Sequence, residues 1–404
     1  MNAADPQSRV LSGMRPTGQL HLGHYHGVLK NWLTLQHEYE CFFFVADWHA
    51  LTTHYDDPAL IQEHALEMVI DWLAAGINPG QATLFVQSRV PEHAELHLLL
   101  SMMTPLSWLE RVPTYKDQLE RLKERDLSTY GFLGYPLLQS ADILAYRAGL
   151  VPVGSDQEAH LEITREIARR FNHIYGREPG FETKAEQAIS KMGRKSARLY
   201  RNLRRGFQET GDLDALETAR ALLREQQNIT LGDQERLQGY LEGTGKVILP
   251  EPSALLTEQA KMLGLDGQKM SKSYGNAIAL RDDTDTIVGK IRRMQTDPAR
   301  MRRTDPGEPE KCPVWNFHKI YSDETLQEWV CNGCRSASIG CLECKAPVIE
   351  TIDEEIAPIR LRAAELQANP DEVSNILAEG SERAGDEAGE TLRDVREAMG
   401  LGWR

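Results

Sequence analysis

Between residues 9 and 180, short apolar runs alternate with helical stretches, and this alternation constrains the fold more than any other feature. Residues 41–47 (CFFFVAD) and 82–88 (ATLFVQS) are aromatic and β-branched runs of strand length. Helical spans at 58–75 and 157–175 separate or follow such runs. The pattern predicts βαβ units around a parallel sheet, with sites at the carboxyl ends of the strands. Residues 181–245 differ: they are polar, rich in Arg, Glu, Leu and Gln, and read as a helical insertion. The α/β part is expected over 1–180 and again over 246–283. Helical patterns dominate from 284 to 404, broken by TDPGEPEKCP and a cysteine cluster. No repeat period is evident.

A chain of 404 residues, 41% of them hydrophobic, suits a soluble globular protein of two or three domains. It has no run of about 18 apolar residues, so neither a transmembrane helix nor a membrane partner is expected. The start, MNAADPQSRVLSGMRP, lacks a basic stretch followed by an apolar core, which makes a secretory signal unexpected and the cytoplasm the expected compartment. A net charge of −14 argues against nucleic-acid binding by the whole surface. Local patches differ. Residues 182–206 carry eight Lys/Arg against two Glu, and residues 291–303 carry five Arg against one Asp. Residues 350–390 carry twelve acids against three Arg.

Two stretches are suited to phosphate chemistry. In GMRPTGQLHLGHYHGVLKNWL, Pro16, Gly18 and Gly23 punctuate a turn, and an apolar helix is expected from about Tyr25. Glycine lets backbone approach a phosphate, and a helix N-terminus offers free N–H groups. His21 and His24 can add donors or positive charge. Much later, in DGQKMSKSYGN, Lys269 and Lys272 flank Met270 and Ser271, with Ser273 following. Such a loop suits a mobile clamp on a polyphosphate. Taken singly, the first could be a helix start with exposed histidines and the second a solvated loop. Together, in this order and about 250 residues apart, they resemble the signature of class I aminoacyl-tRNA synthetases and related nucleotidyl transferases.

The middle of the chain narrows the resemblance. YPLLQSADILAYRAGLVPVGSDQEAHLEITREIARRFN, VADWHALT (45–52) and ATLFVQSRVPEHAEL (82–96) are similar to the tryptophanyl-tRNA synthetase family. The resemblance covers roughly 9–178 and 250–404 and leaves out the insertion. It implies a Rossmann-type parallel-sheet catalytic domain and a mainly helical C-terminal anticodon-binding domain, working as a homodimer. The implied activity is that of a tryptophan–tRNA ligase. L-Tryptophan and ATP, with Mg²⁺, give tryptophanyl-adenylate and pyrophosphate, and tryptophan then passes to tRNA(Trp).

Asp142 lies in SADIL, an apolar neighbourhood where a carboxylate can accept the single N–H of an indole. A pocket built around a buried acceptor rejects ligands lacking that donor, by up to about 10⁴–10⁵-fold. From composition alone Asp142 could equally be a helix N-cap or an exposed turn residue; the resemblance favours the indole contact. It further implies Tyr135, Val151 and Val153 as pocket lining, and His49 and Gln157 near the amino-acid head group or ring. Gly154, Ser155 and Asp156, after the strand-like VPV, would join Arg15, Pro16, Thr17, Gly23, His24, Lys116 and the segment Lys269 to Ser273 in the ATP site, with Met262 at the adenine. Many relatives have Asn where His24 stands, Gln where Arg15 stands and Glu where Ser155 stands, which marks a divergent branch. The expected mechanism needs no general base, because the substrate carboxylate is already ionised; His21, His24, Lys269, Lys272 and Mg²⁺ would stabilise the developing charge. A tyrosyl-tRNA synthetase of the same fold is the nearest alternative. A small-molecule nucleotidyl transferase is opposed by the long helical C-terminal region, and a non-catalytic RNA-binding paralogue by the intact phosphate motifs.

Five of six cysteines fall between 312 and 344. In a reducing compartment, clustered cysteines more often bind metal than form disulfides. Cys331-x₂-Cys334 and Cys341-x₂-Cys344 read as zinc knuckles, though six residues between the pairs is short for a ribbon. The resemblance of CPVWNFHKIYSDE and CRSASIGCLECK to the iron–sulfur-containing branch of the family implies Cys312, Cys334, Cys341 and Cys344 as ligands of a 4Fe-4S cluster, with zinc as the alternative and Cys331 left over or a substitute. In the insertion, Arg194, Arg198, Arg201 and Arg205 share one helical face, either a phosphate-contacting surface for tRNA or a solvated amphipathic helix.

Overall fold

The computed structural model describes residues 8–56, 58–112, 129–154, 158–176, 180–256 and 262–403. Five strands, β1 (Arg9–Met14), β2 (Glu40–Val45), β3 (Ala82–Val86), β4 (Leu150–Val153) and β5 (Ser253–Leu256), form one sheet in the order β3-β2-β1-β4-β5. The pairings β1–β4, β2–β3 and β4–β5 are parallel, with Cys41 opposite Ala82 and Val151 opposite Ala254. The alternation in the sequence thus yields the expected Rossmann-like α/β fold. Strands β2 and β3 end two residues before the expected boundaries: Asp47 opens a helix and its side chain accepts from the Trp48 N–H, while residues 87–89 turn into 3₁₀ geometry.

The helices are α1 (Leu22–His24), α2 (Lys30–Glu38), α3 (Asp47–His54), α4 (Ile61–Ala75), α5 (Glu92–Ser101), α6 (Leu106–Glu110), α7 (Tyr130–Ala145) and α8 (Glu158–Tyr175), then α9 (Phe181–Lys191), α10 (Arg194–Thr210), α11 (Leu213–Arg224) and α12 (Leu231–Glu242). The C-terminal region adds α13 (Thr284–Arg293), α14 (Pro313–Tyr321), α15 (Glu324–Arg335), α16 (Cys341–Ala368) and α17 (Pro370–Ala398). Asn369-Pro370 separates the last two, because the residue before proline is pushed out of the helical region.

The chain clusters into two units, whose boundaries fall within β1 and α17. The first holds residues 87–256 with the chain's beginning and end. Its α9–α12 enclose their own apolar core, with Ile189, Tyr200, Leu237 and Leu241 fully buried. Asp212 and Thr230 cap α11 and α12 through hydrogen bonds to backbone N–H groups three residues on. The second unit holds residues 13–86 and 257–381. There Trp32 stacks on Phe43 at 4.2 Å and meets Trp72 edge-on at 5.1 Å, under the aromatic face of β2. Such pairs add stabilisation beyond burial, about 0.5–1.5 kcal/mol each.

Candidate active site

Each motif segment follows the carboxyl end of a strand: residues 15–18 follow β1, Asp47 follows β2, Gln87 follows β3 and Gly154 follows β4. Sites on α/β sheets are built from such segments.

In the second unit, the turn after β1 uses Gly18 at φ +74°, a conformation that favours glycine. The helix begins at Leu22, three residues earlier than expected, and passes through a π turn over residues 25–29 before α2. Single π turns inside helices are frequent at functional sites. His21 is the N-cap, and its Nδ1 accepts from the Gly23 N–H at 3.1 Å; His24 Nδ1 accepts from the His21 N–H at 3.4 Å. Both rings therefore carry their proton on Nε2. They lie 3.8 Å apart, and a Cβ on Gly23 would meet the His21 ring at 3.0 Å. Burial, reinforced by Lys272 and Lys269, lowers the His21 pKa to about 4; burial, His21 and the same lysines lower that of His24 to about 3. At neutral pH both are uncharged donors. This corrects the expectation that they could contribute positive charge.

The lysine loop belongs to the same unit. Lys272 Nζ donates to the Thr17 carbonyl at 2.5 Å, Met270 is buried, and Lys269 is exposed. Ser271 and Ser273 share a hydroxyl hydrogen bond of 2.9 Å. Arg15 is exposed, Pro16 is buried and Met262 is buried beneath the loop's approach. Three organising residues went unread in the sequence. Asn276, 3% exposed, accepts from the Ser271 N–H and donates to Asp266 and to the Lys269 carbonyl. Asp71, fully buried in α4, accepts from the Leu20 N–H and from Arg281, which also bonds Glu67. Leu20 precedes the histidine motif and Arg281 follows the lysine loop. The readable signal was an aspartate on the apolar face of α4.

In the first unit, Asp142 is 1% exposed in the interior of α7, so neither the cap nor the exposed-turn reading applies. Its Oδ1 accepts from Gln87 Nε2 at 2.7 Å and from His93 Nδ1 at 2.6 Å. Because a carboxylate only accepts, His93 donates through Nδ1; the Tyr146 hydroxyl, whose pKa burial holds well above its usual value, meets Nε2 at 2.7 Å. Gln87 is fully buried, and its Oε1 has no hydrogen-bond partner among the described residues. Tyr135, Val151 and Val153 are buried in the same unit, and Gly154 closes β4 half-buried. His49 lies half-buried on α3, in the other unit. Lys116, Ser155, Asp156 and Gln157 lie outside the described residues.

The cysteines fall in the second unit. Cys312 caps α14, Cys334 is on α15, and Cys341 and Cys344 occupy the first turn of α16. All six are free thiols. Burial, followed by the charges of Cys312, Cys334 and Cys341, pushes the Cys344 thiol up to about 12. Burial also raises the Cys331 thiol, but its charged neighbours are Arg335 and Glu310 rather than the other cysteines. Arg300 donates to Cys334 Sγ at 3.6 Å, and Cys344 Sγ lies 3.3 Å from His318 Nε2. Among the described residues, no three His, Cys, Asp or Glu groups stand close enough to hold a metal ion.

Comparison with known proteins identifies the family. The family model described as tRNA synthetases class I (W and Y) matches residues 3–193 and 219–356. A tryptophan–tRNA ligase of Ralstonia nicotianae is 67% identical over 393 residues, covering 97% of this chain and 98% of the relative. One of Thermotoga maritima is 43% identical over 395 residues, with 97% and 99% covered. The crystal structure of tryptophanyl-tRNA synthetase from Campylobacter jejuni, complexed with ADP and tryptophan, superposes with a TM-score of 0.72 at 27% identity, covering 97% of this chain and all of that one. With a family model matching most of the chain and relatives this similar over nearly its whole length, the chain belongs to the tryptophan–tRNA ligases of the class I tRNA synthetase family.

Proposed function

We propose that His21, His24, Lys269 and Lys272 are the catalytic set with which this tryptophan–tRNA ligase activates its amino acid. The tryptophan carboxylate attacks the α-phosphorus of Mg²⁺-bound ATP; a carboxylate O–P bond forms and the bond to pyrophosphate breaks. No proton need be removed. The two Nε2–H groups donate to phosphate oxygens without bringing charge into the site, and the lysines carry the charge that offsets departing pyrophosphate. A terminal adenosine hydroxyl of tRNA(Trp) then attacks the acyl carbon, AMP leaves, and the hydroxyl proton is lost. Arg15, Pro16, Thr17, Gly23, Met262, Met270, Ser271, Ser273, Gly154 and, outside the described residues, Lys116, Ser155 and Asp156 are assigned to ATP.

The observation that carries the reading is the locked pair of histidine tautomers, held by backbone N–H groups at 3.1 and 3.4 Å. On the amino-acid side, the unpartnered Gln87 Oε1 beside Asp142 supports a ligand bearing N–H donors, since an unpaired buried acceptor costs about 1–3 kcal/mol. Asp142 is assigned to the indole N–H, with Tyr135, Val151, Val153, His49 and Gln157 around the substrate. Lys269→Ala is expected to slow tryptophan-dependent ATP–pyrophosphate exchange by about 10²–10³-fold; exchange at the parental rate would remove the clamp.

The domain roles are proposed on similar grounds. Residues 1–180 and 246–283 serve catalysis, 181–245 are an insertion, and 284–404 meet the anticodon. The last is supported by exposed Arg292, Arg293, Arg302 and Arg303 near the cysteine segment. Cys312, Cys334, Cys341 and Cys344 are proposed to hold a 4Fe-4S cluster, which would pin that region without redox duty; zinc would serve the same purpose. The four thiols lie close enough to feel one another's charge, and Arg300, which donates to Cys334 Sγ, would favour a thiolate there. Anaerobically purified protein should be brown and absorb near 400 nm. Cys331→Ser should keep the colour and Cys334→Ser should lose it; a colourless protein with one zinc per chain would replace iron by zinc. A cytoplasmic homodimer is the proposed working form. Leu98, Leu106 and Tyr130 on α5, α6 and α7, with Met102 just after α5, are each more than half exposed and supply apolar surface for it.

A further inference from the structure

The insertion's helix α10 carries an unusual face. Its apolar side is spent inside the insertion: Ala197 and Tyr200 are buried, and the Tyr200 hydroxyl donates to the Leu237 carbonyl at 2.5 Å. Arg204 is spent there too, donating to the Tyr240 carbonyl at 2.7 Å with its guanidinium 3.8 Å from the Tyr240 ring. The outer side exposes Arg194, Lys195, Arg198 and Arg205, none with an ion-pair partner among the described residues, and Arg201, paired with Glu186.

Elsewhere in the insertion, most Lys and Arg side chains are paired, exposed Arg224 being an exception. Lys191 and Arg236 pair with Asp233, and Arg220 pairs with Glu217 and Glu242. The outer side of α10 gathers four cations without ion-pair partners among the described residues, on a chain whose net charge is −14. Arg194 and Lys195 also sit in the first turn, where the helix dipole disfavours cations by a few tenths of a kcal/mol or more. Helix stability therefore does not account for them. Residues 194–218 fall between the two stretches that the family model matches, so the face is an addition to the common scaffold.

We infer that this face binds the sugar–phosphate backbone of the tRNA substrate, independently of base sequence. Residues 194 to 205 span about 16 Å of helix, long enough to meet several phosphates. Arginine's planar fork suits phosphate oxygens. A lipid surface is a poor fit, because the apolar side of α10 is already covered by the insertion's own core.

The inference rests on the tRNA ligase reading, and two measurements keep the two apart. Tryptophan-dependent pyrophosphate exchange needs no RNA and tests activation alone. Filter binding of a tRNA(Trp) transcript between 50 and 200 mM salt tests the face. The variant Arg194→Gln/Lys195→Gln/Arg198→Gln/Arg205→Gln should keep parental exchange, bind the transcript at least about 10-fold more weakly at low salt, and lower the slope of log Kd against log salt by about 2–3. Arg194→Lys/Arg198→Lys/Arg205→Lys, which keeps the charge, should keep most of the slope. Unchanged transcript affinity and slope in the glutamine variant would overturn the inference and leave the face to another partner, such as an acidic protein.

Discussion

At the scale of single residues, the phosphate motif is decided by where each histidine proton sits. Backbone N–H groups occupy Nδ1 of both His21 and His24, so Nε2–H is the available donor. With pKa values of about 4 and 3, neither ring gains charge between pH 6 and 9. A neutral donor can be replaced by another neutral donor. His24→Asn is expected to slow pyrophosphate exchange by less than about 10-fold, and His24→Ala by about 10²-fold or more. Equal losses in the two variants would mean the ring itself, not its N–H, is needed. The Asp142 cluster follows similar logic: Gln87 and His93 point their donors at one oxygen and hold the carboxylate in a fixed orientation. None of these partners could be paired from spacing, because residues 87, 93 and 142 meet only through folding.

At the scale of elements, the Asp71 and Arg281 pair joins three segments. Asp71 on α4 receives the Leu20 N–H ahead of the histidine motif and the Arg281 guanidinium beyond the lysine loop. Burial outweighs Arg281 and raises the Asp71 pKa to about 6. Removing Asp71 leaves Arg281 with Glu67 alone and takes the acceptor from the Leu20 N–H. Asp71→Ala should therefore destabilise the protein by about 2–3 kcal/mol in urea titrations. A loss below about 1 kcal/mol would show that Arg281 finds water or another acid. A second tie runs from the π turn to the C-terminal helices: His26 Nε2 lies 2.8 Å from the Tyr321 hydroxyl and 3.0 Å from Glu355, which also pairs with Lys30. These partners hold the Glu355 carboxyl near a pKa of about 2.

At the scale of the molecule, these shifted groups set how stability depends on pH. His21 and His24 bind protons more readily unfolded, at the ordinary histidine value of 6.5, than folded, so stability falls as pH drops from 6.5 toward about 4 and 3. Glu355 adds a loss between 4.5 and about 2. Asp71 opposes them, because its raised pKa favours the folded state below 3.8 and that contribution is lost as pH rises through about 6. Two histidines with larger shifts prevail over one aspartate, so Tm should fall as pH drops from 6.5 to 4.5; a flat Tm across that range would contradict their burial. The apolar rhythm of residues 9–180 pointed to a parallel sheet and to β2, β3 and β4 within it, since period-two and period-3.6 burial is a local property of sequence, while β1 and β5 went unread. The histidine and lysine motifs could be picked out equally well, because glycines, histidines and paired lysines close together in sequence are a local signal. What only tertiary structure decided were the buried polar partners. Asp71, Asn276, Gln87 and His93 look in the sequence like ordinary polar residues. Their importance comes from groups as far as 210 residues away that reach into the same water-free space, where a carboxylate must find a donor or pay several kcal/mol for lacking one.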